Sequence, residues 1–244
     1  MAGHSKWANI KHQKSRSDAL KGKVFSRLAK EIITSVKQGG PDPKANSRLK
    51  AAIQKARIAN MPSDNIERNI KKASSQDQSD YFSVTYELYG YGGVGIVVDA
   101  LTDNRNRLAS EMRIATNKKG GTIATPGSVL FNFDLKGVIQ VAKESVSEEN
   151  LFLAVTEAGA EDFESSEDVY YITTPPDLLA QVKEKIESLG ITCGESSLQR
   201  IPKVSVAASG EDQKANLALV EWIEEIDDVD SVYHNMLSSE DLSP

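Results

Sequence analysis

The spacing of apolar residues changes near residue 80, and this change most limits the fold. In the first part, apolar side chains recur at steps of three and four residues, namely Phe25, Leu28, Ile32 and Val36. That period is typical of an amphipathic helix. Residues 81–91 instead alternate aromatic and β-branched side chains, which indicates a strand. The stretch 74–80 has no apolar residue and is expected to be a linker, so helical and sheet-containing cores should be separate.

The first part predicts three helices that form one small bundle. The first spans 23–38 and ends at a pair of glycines, and the second spans 44–60 and stops before Pro62. Ser63 or Asp64 can cap the third helix. That helix has few apolar positions, so it is expected to pack on the other two.

The second part alternates strands and helices. Its first elements are expected to be strands 81–91 and 94–101, a helix from Asp103 or Asn104 to Lys118, and a strand 128–133. The next elements are expected to be strand 137–142, helix 147–158, strands 162–165 and 168–173, helix 176–189 and strand 192–200. The tail adds a helix 211–226 and a strand 232–236.

The order βαββαβ after residue 134 is that of the ferredoxin-like fold. The two tail elements would complete the preceding ββαβ unit. We therefore predict an α+β protein with an N-terminal helical bundle and two α/β sandwich domains, the last inserted in the middle one. The expected domains are 1–76, then 77–133 with 204–244, and the inserted 134–203.

Charge is divided unevenly along the chain, whose formal net charge is −6. Residues 1–73 contain 17 Lys and Arg against 5 Asp and Glu, a net charge of +12, so the remainder carries −18. Only the first domain can attract a polyanion strongly. A merely solvated basic bundle is the alternative, although the acidic remainder makes solubility a poor reason for this charge.

Basic residues of the first domain fall on shared helix faces. Lys23, Arg27, Lys30 and Lys37 share one face of the first helix, opposite its apolar side. Such a surface suits a phosphate backbone, and Trp7 can stack on a base or a sugar. The residues of this domain predicted to bind nucleic acid are Lys6, Trp7, Lys11, His12, Lys14, Arg16, Lys21, Lys23, Arg27, Lys30 and Arg48.

A second polar segment, Asp103 to Arg107, lies where a strand meets a helix. Arg105 and Arg107 are predicted to contact phosphate, with the neighbouring asparagines bonding to bases or backbone. In the alternative interpretation, Asp103 or Asn104 caps the helix and the rest is solvated.

Other motifs give little support to catalysis or a cofactor. The glycine-rich stretch 90–95 leads into a strand, so it favours a hairpin turn over a dinucleotide-binding loop. His4, His12 and His234 show no metal-binding spacing. Cys193 is expected to be a small buried side chain. No cofactor, metal or catalytic residue is predicted.

Several motifs resemble the YebC family, which includes the mitochondrial translational activator of cytochrome c oxidase. They are residues 3–12 (GHSKWANIKH), 25–32 (FSRLAKEI), 60–62 (NMP), 102–107 (TDNRNR) and 127–129 (GSV). The resemblance covers essentially the whole chain. It implies a three-domain, non-enzymatic cytoplasmic protein described as a DNA-binding transcriptional regulator. For some members it implies a ribosome-associated factor that relieves stalling at proline-rich stretches.

The sequence thus predicts a cytoplasmic, non-enzymatic regulator of gene expression that binds duplex DNA, ribosomal RNA or both. The protein is expected to have no membrane segment, and a monomer is the favoured oligomeric state. Two alternatives stay open. One is a metal-dependent enzyme on RNA or a nucleotide that uses Asp99, Asp103 and Glu111. The other is an adaptor whose acidic segment 221–230 docks a basic partner.

Overall fold

A computed structural model describes residues 21–74 and 80–237, and for residues 21–23 it describes the backbone alone. The first described elements are the helices α1 (Lys21–Gly39), α2 (Ser47–Ile58) and α3 (Ser63–Ala73). Their apolar faces form one core that includes Ile32, Leu49, Ala52, Ala56 and Ile66. The predicted three-helix bundle is confirmed.

A four-stranded antiparallel sheet follows, with the strands β1 (Phe82–Tyr89), β2 (Gly95–Thr102), β3 (Thr122–Ile123) and β8 (Val229–His234). The order of the strands in this sheet is β3-β1-β2-β8. Helices α4 (Arg105–Lys119) and α7 (Gly210–Glu224) share its core, and α4 contributes Leu108 and Met112 while α7 contributes Leu219 and Ile223. The predicted hairpin is confirmed, because β1 pairs with β2 and the glycines of its turn, Gly92 and Gly93, have positive φ angles of 64° and 78°.

The strand predicted at 128–133 is wrong. Residues Leu130–Asn132 form a 3-10 turn, and the strand begins only at Phe133. The backbone just before this turn is not paired with any strand that the structure describes. Instead, the carboxylate of Glu87 accepts hydrogen bonds from the backbone amides of Gly127 and Val129. Glu87 is buried in β1, so this segment is tied to the first sheet without joining it.

The inserted unit has the strands β4 (Phe133–Ala142), β5 (Asp162–Ser165), β6 (Val169–Thr174) and β7 (Cys193–Pro202) and the helices α5 (Glu148–Glu157) and α6 (Leu179–Ser188). Its antiparallel sheet has the order β5-β6-β4-β7, which the βαββαβ connectivity of a ferredoxin-like fold requires. Cys193 is buried as expected, and burial raises the pKa of its thiol to about 11.

The fold class predicted from the sequence is confirmed. The chain leaves the first sheet after β3, builds the ferredoxin-like unit and returns to add α7 and β8 to the first sheet. Residues 130–205 form one compact unit, while 21–74, 80–129 and 206–236 form another that contains both the bundle and the first sheet. The boundaries of three separate domains stay a prediction. No helix among the described residues is long and apolar enough to cross a membrane.

Candidate nucleic-acid interface

Asn46 fixes the start of α2 against the end of α1. Its amide nitrogen donates to the carbonyl oxygens of Ser35 and Gly40, both at 2.8 Å. Its amide oxygen caps α2 by accepting from the backbone N–H of Leu49 at 3.0 Å. The side chain of Asn46 is buried, and these three hydrogen bonds satisfy it. The outer face of α2 is therefore held in a defined orientation on the bundle.

The outer face of α2 is strongly cationic. The helix contains four basic residues and no acidic residue, and the basic residues are Arg48, Lys50, Lys55 and Arg57. Arg48 bonds to Gln38, and Lys55 pairs with Glu31 of α1 at 2.8 Å. Lys50 and Arg57 are exposed and seven residues apart, which places them on the same side of the helix.

The predicted binding residues include Arg48 but omit five exposed basic residues of these helices, namely Lys50 and Arg57 on α2 and Arg68, Lys71 and Lys72 on α3. The signal for the α2 pair is present in the sequence, because residues 47–58 carry four positive charges with no carboxylate among them. A net charge counted for each helix would have identified this face.

Two residues of the cationic face of α1, Arg27 and Lys30, have a different environment, because they meet acidic residues around β8, while Lys37 of the same face pairs with Asp80 at 2.9 Å. The Nζ of Lys30 lies 2.6 Å from a carboxylate oxygen of Asp228 and 2.9 Å from the carbonyl oxygen of Asp227. Arg27 is partly buried near Asp230 and Glu224. Burial lowers the pKa of the Arg27 guanidinium, while these two carboxylates oppose that change.

Asp228 joins the bundle to the strand–helix junction of the first sheet. It is 2% exposed and accepts from Lys30, from Arg107 at 2.5 Å and from the hydroxyl of Thr102 at 2.8 Å. Arg107 also pairs with Asp103 at 2.7 Å. Burial opposes ionisation of Asp228, but the hydrogen bonds from Lys30, Arg107 and Thr102 keep the pKa of this carboxyl below its ordinary value.

Two other residues of the 103–107 segment, Asn104 and Arg105, have different roles. Asn104 caps α4, because its side-chain oxygen accepts from the backbone N–H groups of Asn106 and Arg107. Arg105 is exposed and lies over the ring of Phe82, with its guanidinium carbon 4.6 Å from the ring centre. Of the two arginines predicted to contact phosphate, Arg107 is therefore paired with carboxylates, and Arg105 contacts a ring.

Many of the predicted binding residues precede the described region. Those outside it are Lys6, Trp7, Lys11, His12, Lys14 and Arg16. Lys21 and Lys23 belong to the first turn of α1, and their side chains are also outside the description. The structure places Arg27, Lys30 and Arg107 around the acidic residues near β8, with Arg48 on the cationic face of α2. The sequence-based assignment of all these residues to nucleic acid stays a prediction.

The geometry gives no support to the metal-dependent alternative. Asp99 accepts from the hydroxyl of Thr85, Asp103 pairs with Arg107, and one carboxylate oxygen of Glu111 is buried without a hydrogen-bond partner in the described structure. Burial raises the pKa of Glu111, and the nearby charge of Asp228 adds to this effect. Within 21–74 and 80–237, no three His, Cys, Asp or Glu residues are grouped so that they could hold a metal ion.

The fold and its charged faces define a class of protein in which a basic three-helix bundle is joined to an α/β domain that carries a ferredoxin-like insertion. Family profiles cover both parts, because residues 5–76 match the TACO1/YebC protein N-terminal domain and residues 81–236 match the TACO1/YebC second and third domain. The chain belongs to the TACO1/YebC family.

Individual relatives resemble the chain over nearly its whole length. The probable transcriptional regulatory protein pc1328 of Protochlamydia amoebophila is 64% identical, over 99% of both chains. The probable transcriptional regulatory protein CF0838 of Chlamydia felis is 56% identical over 97% of this chain and all of its own. The crystal structure of a conserved hypothetical protein, Aq1575 of Aquifex aeolicus, has 42% identity and a TM-score of 0.84, covering 94% of this chain and 96% of that one.

Proposed function

We propose that this protein is a non-enzymatic regulator of gene expression that binds nucleic acid through the outer faces of α2 and α3. The observation that carries the proposal is the cationic face of α2, where Lys50 and Arg57 are exposed and no acidic residue interrupts the helix. Neutralising phosphates with such residues releases counterions, which drives binding with little dependence on sequence. The names of the relatives, probable transcriptional regulatory proteins, support a role in regulation.

The interface that we propose also includes basic and aromatic residues of the segment that precedes α1 in the sequence. Lys6, Lys11, Lys14 and Arg16 would add positive charge, and Trp7 would add a stacking group. Arg27, Lys30 and Arg107 are left out of the interface, because each faces carboxylates of the same chain. The acidic remainder of the chain would repel phosphate and so confine contact to the bundle and the exposed Arg105.

The test is a double substitution in the full chain, Lys50→Gln with Arg57→Gln. Because each neutralised phosphate contributes about 0.9 to the salt slope on duplex DNA, the slope should fall by about 1.8 and the affinity near 0.1 M salt by more than 10-fold. The measurement is fluorescence anisotropy of labelled duplex DNA and of ribosomal RNA fragments over a series of salt concentrations.

The matched control is Lys118→Gln with Lys214→Gln, which removes the same charge from exposed positions outside the bundle. This variant should retain the slope and affinity of the unmodified protein. Equal losses in the two double variants would mean that binding follows total charge, and the proposal would then be abandoned.

The same face can serve transcription on DNA or translation on the ribosome, because backbone contacts do not read sequence. The two targets are separated by footprinting on promoter DNA and by cosedimentation with ribosomes from one extract. The Lys50→Gln, Arg57→Gln variant should lose whichever of the two signals the unmodified protein gives.

A further inference from the structure

A groove between α1 and α3 lies on the bundle, and its lining differs from the charged surface around it. It is open to solvent and has a volume of about 310 Å³, at the lower end of the range of ~300–1,000 Å³ typical of small-ligand sites. The α1 side contributes Phe25, Ser26 and Ala29. Met61, which precedes α3, also lines the groove. The α3 side contributes only polar and basic residues, namely Asn65, Arg68, Asn69 and Lys72.

The α3 side of this groove is ordered by its own hydrogen bonds. Asn65, Arg68, Asn69 and Lys72 are spaced by three, four and seven residues, so they share one face of the helix. A guanidinium nitrogen of Arg68 donates to the side-chain oxygen of Asn65 at 2.7 Å. The amide nitrogen of Asn69 donates to the carbonyl oxygen of Asn65 at 2.8 Å. The planar groups of Arg68 and Asn69 are therefore held in place before any ligand arrives.

This combination of groups matches an unpaired nucleotide. Aromatic rings and guanidinium planes stack on bases, amide side chains bond to base edges, and basic side chains bind phosphate. Phe25 and Met61 line the groove and also pack in the bundle core, so they form an apolar wall at one side of the groove. A paired base inside a duplex presents only its edge, and its faces cannot enter a groove of this size.

We propose that this groove binds one unpaired base of a nucleic-acid strand, with the base against Phe25 and Met61 and its phosphates at Arg68 and Lys72. The inference rests on the proposed function and narrows its target to strands with accessible bases, such as RNA loops or melted DNA. The α2 face then supplies affinity for the backbone, and the groove supplies preference for single strands.

The test uses the full chain and a short single strand that carries a fluorescent adenine analogue, as RNA and as DNA, with the same strand annealed into a duplex as the comparison. The unmodified protein should quench the analogue and bind the single strand more tightly than the duplex. Arg68→Lys keeps the charge but removes the plane, and Asn69→Ala removes the amide. Each should weaken single-strand binding about 10-fold, the effect of losing one stacking or base contact, and leave duplex binding unchanged.

The control is Lys118→Arg, which also keeps its charge and lies on α4, outside the bundle and the lining of the groove. It should bind both probes as the unmodified protein does. Groove variants that bind the single strand normally, or an unmodified protein that prefers duplex, would overturn the groove while leaving the proposed function intact. A chain that retains neither probe at low salt would instead overturn the proposed function. The RNA and DNA arms show which strand the groove accepts.

Discussion

Lys30 and Lys50 are lysines of the same helical bundle, but their surroundings differ. The Nζ of Lys30 lies 2.6 Å from a buried carboxylate, and its side chain is 16% exposed. Lys50 is exposed on α2, where the described residues place no carboxylate in ion-pair contact with it. The first lysine therefore joins the bundle to the segment before β8, while the second leaves its charge available to solvent and to ligands.

This difference shows that the number of Lys and Arg residues in the bundle is larger than the number whose charge is available to a polyanion. Arg27, Lys30 and Arg107 compensate the acidic residues around β8, which would otherwise be buried with unpaired charge. The acidic segment that the adaptor hypothesis assigned to a basic partner thus has several of its carboxylates facing cations of its own chain. Binding to phosphate is left to the other faces of the bundle.

The largest expected effect is that of Asp228→Asn. The substitution removes the buried carboxylate that Lys30 and Arg107 share, and removing one partner of such a pair costs about 3 kcal/mol. The free energy of unfolding in urea should fall by about this amount. Asp227→Asn is the matched control, because that side chain is exposed and only its backbone carbonyl contacts Lys30, so its effect should stay below about 0.5 kcal/mol. Equal effects of the two substitutions would show that the Asp228 contacts do not hold the bundle.

A smaller effect should appear as a pH dependence at Asp230. Burial raises the pKa of this carboxyl to about 6. The positive charge of Arg27 partly opposes this rise, and the negative charge of Glu31 adds to it. Between pH 4 and 6 the folded protein therefore holds a proton that the unfolded chain releases, so this stabilising contribution is present at pH 4 and lost as the pH rises. Asp228 has a lowered pKa, so its contribution has the opposite sign: it is present above about pH 4 and lost at lower pH.

The measurement is the free energy of unfolding of the unmodified protein and of Asp230→Asn from pH 4 to 7. The unmodified protein should lose roughly 2 kcal/mol relative to the variant over this range. Parallel curves would mean that Asp230 ionises in the folded protein as it does in the unfolded chain.

The smallest effect on stability is expected for Arg105→Gln. The guanidinium of Arg105 contacts the partly exposed ring of Phe82 and no carboxylate among the described residues, so its loss should cost less than about 1 kcal/mol. Because its charge is exposed, the salt slope for duplex DNA should nevertheless fall by about 0.9. Arg107→Gln should do the reverse, with a clear loss of stability and an unchanged slope. If neither substitution alters the slope, neither arginine contacts duplex DNA, and both make contacts only within the protein.

Local sequence patterns determine most of the fold. The three- and four-residue spacing from Phe25 to Val36 gave the first helix, and the order of elements after residue 134 gave the ferredoxin-like unit. The error at 128–133 had a tertiary cause. The carboxylate of Glu87, about forty positions away in β1, takes up the amides of Gly127 and Val129, and no local pattern reports such a partner.

The sequence by itself determined the helices, nearly all of the strands, the family and the concentration of positive charge in the first domain, because each depends on residues close together in the chain or on its composition. Only the tertiary structure decided which of those charges face acidic partners. Lys30 and Asp228 are separated by 198 positions and meet because β8 returns to the first sheet beside β2. Ion pairing falls off steeply with distance, so the availability of a charge depends on neighbours that folding brings near.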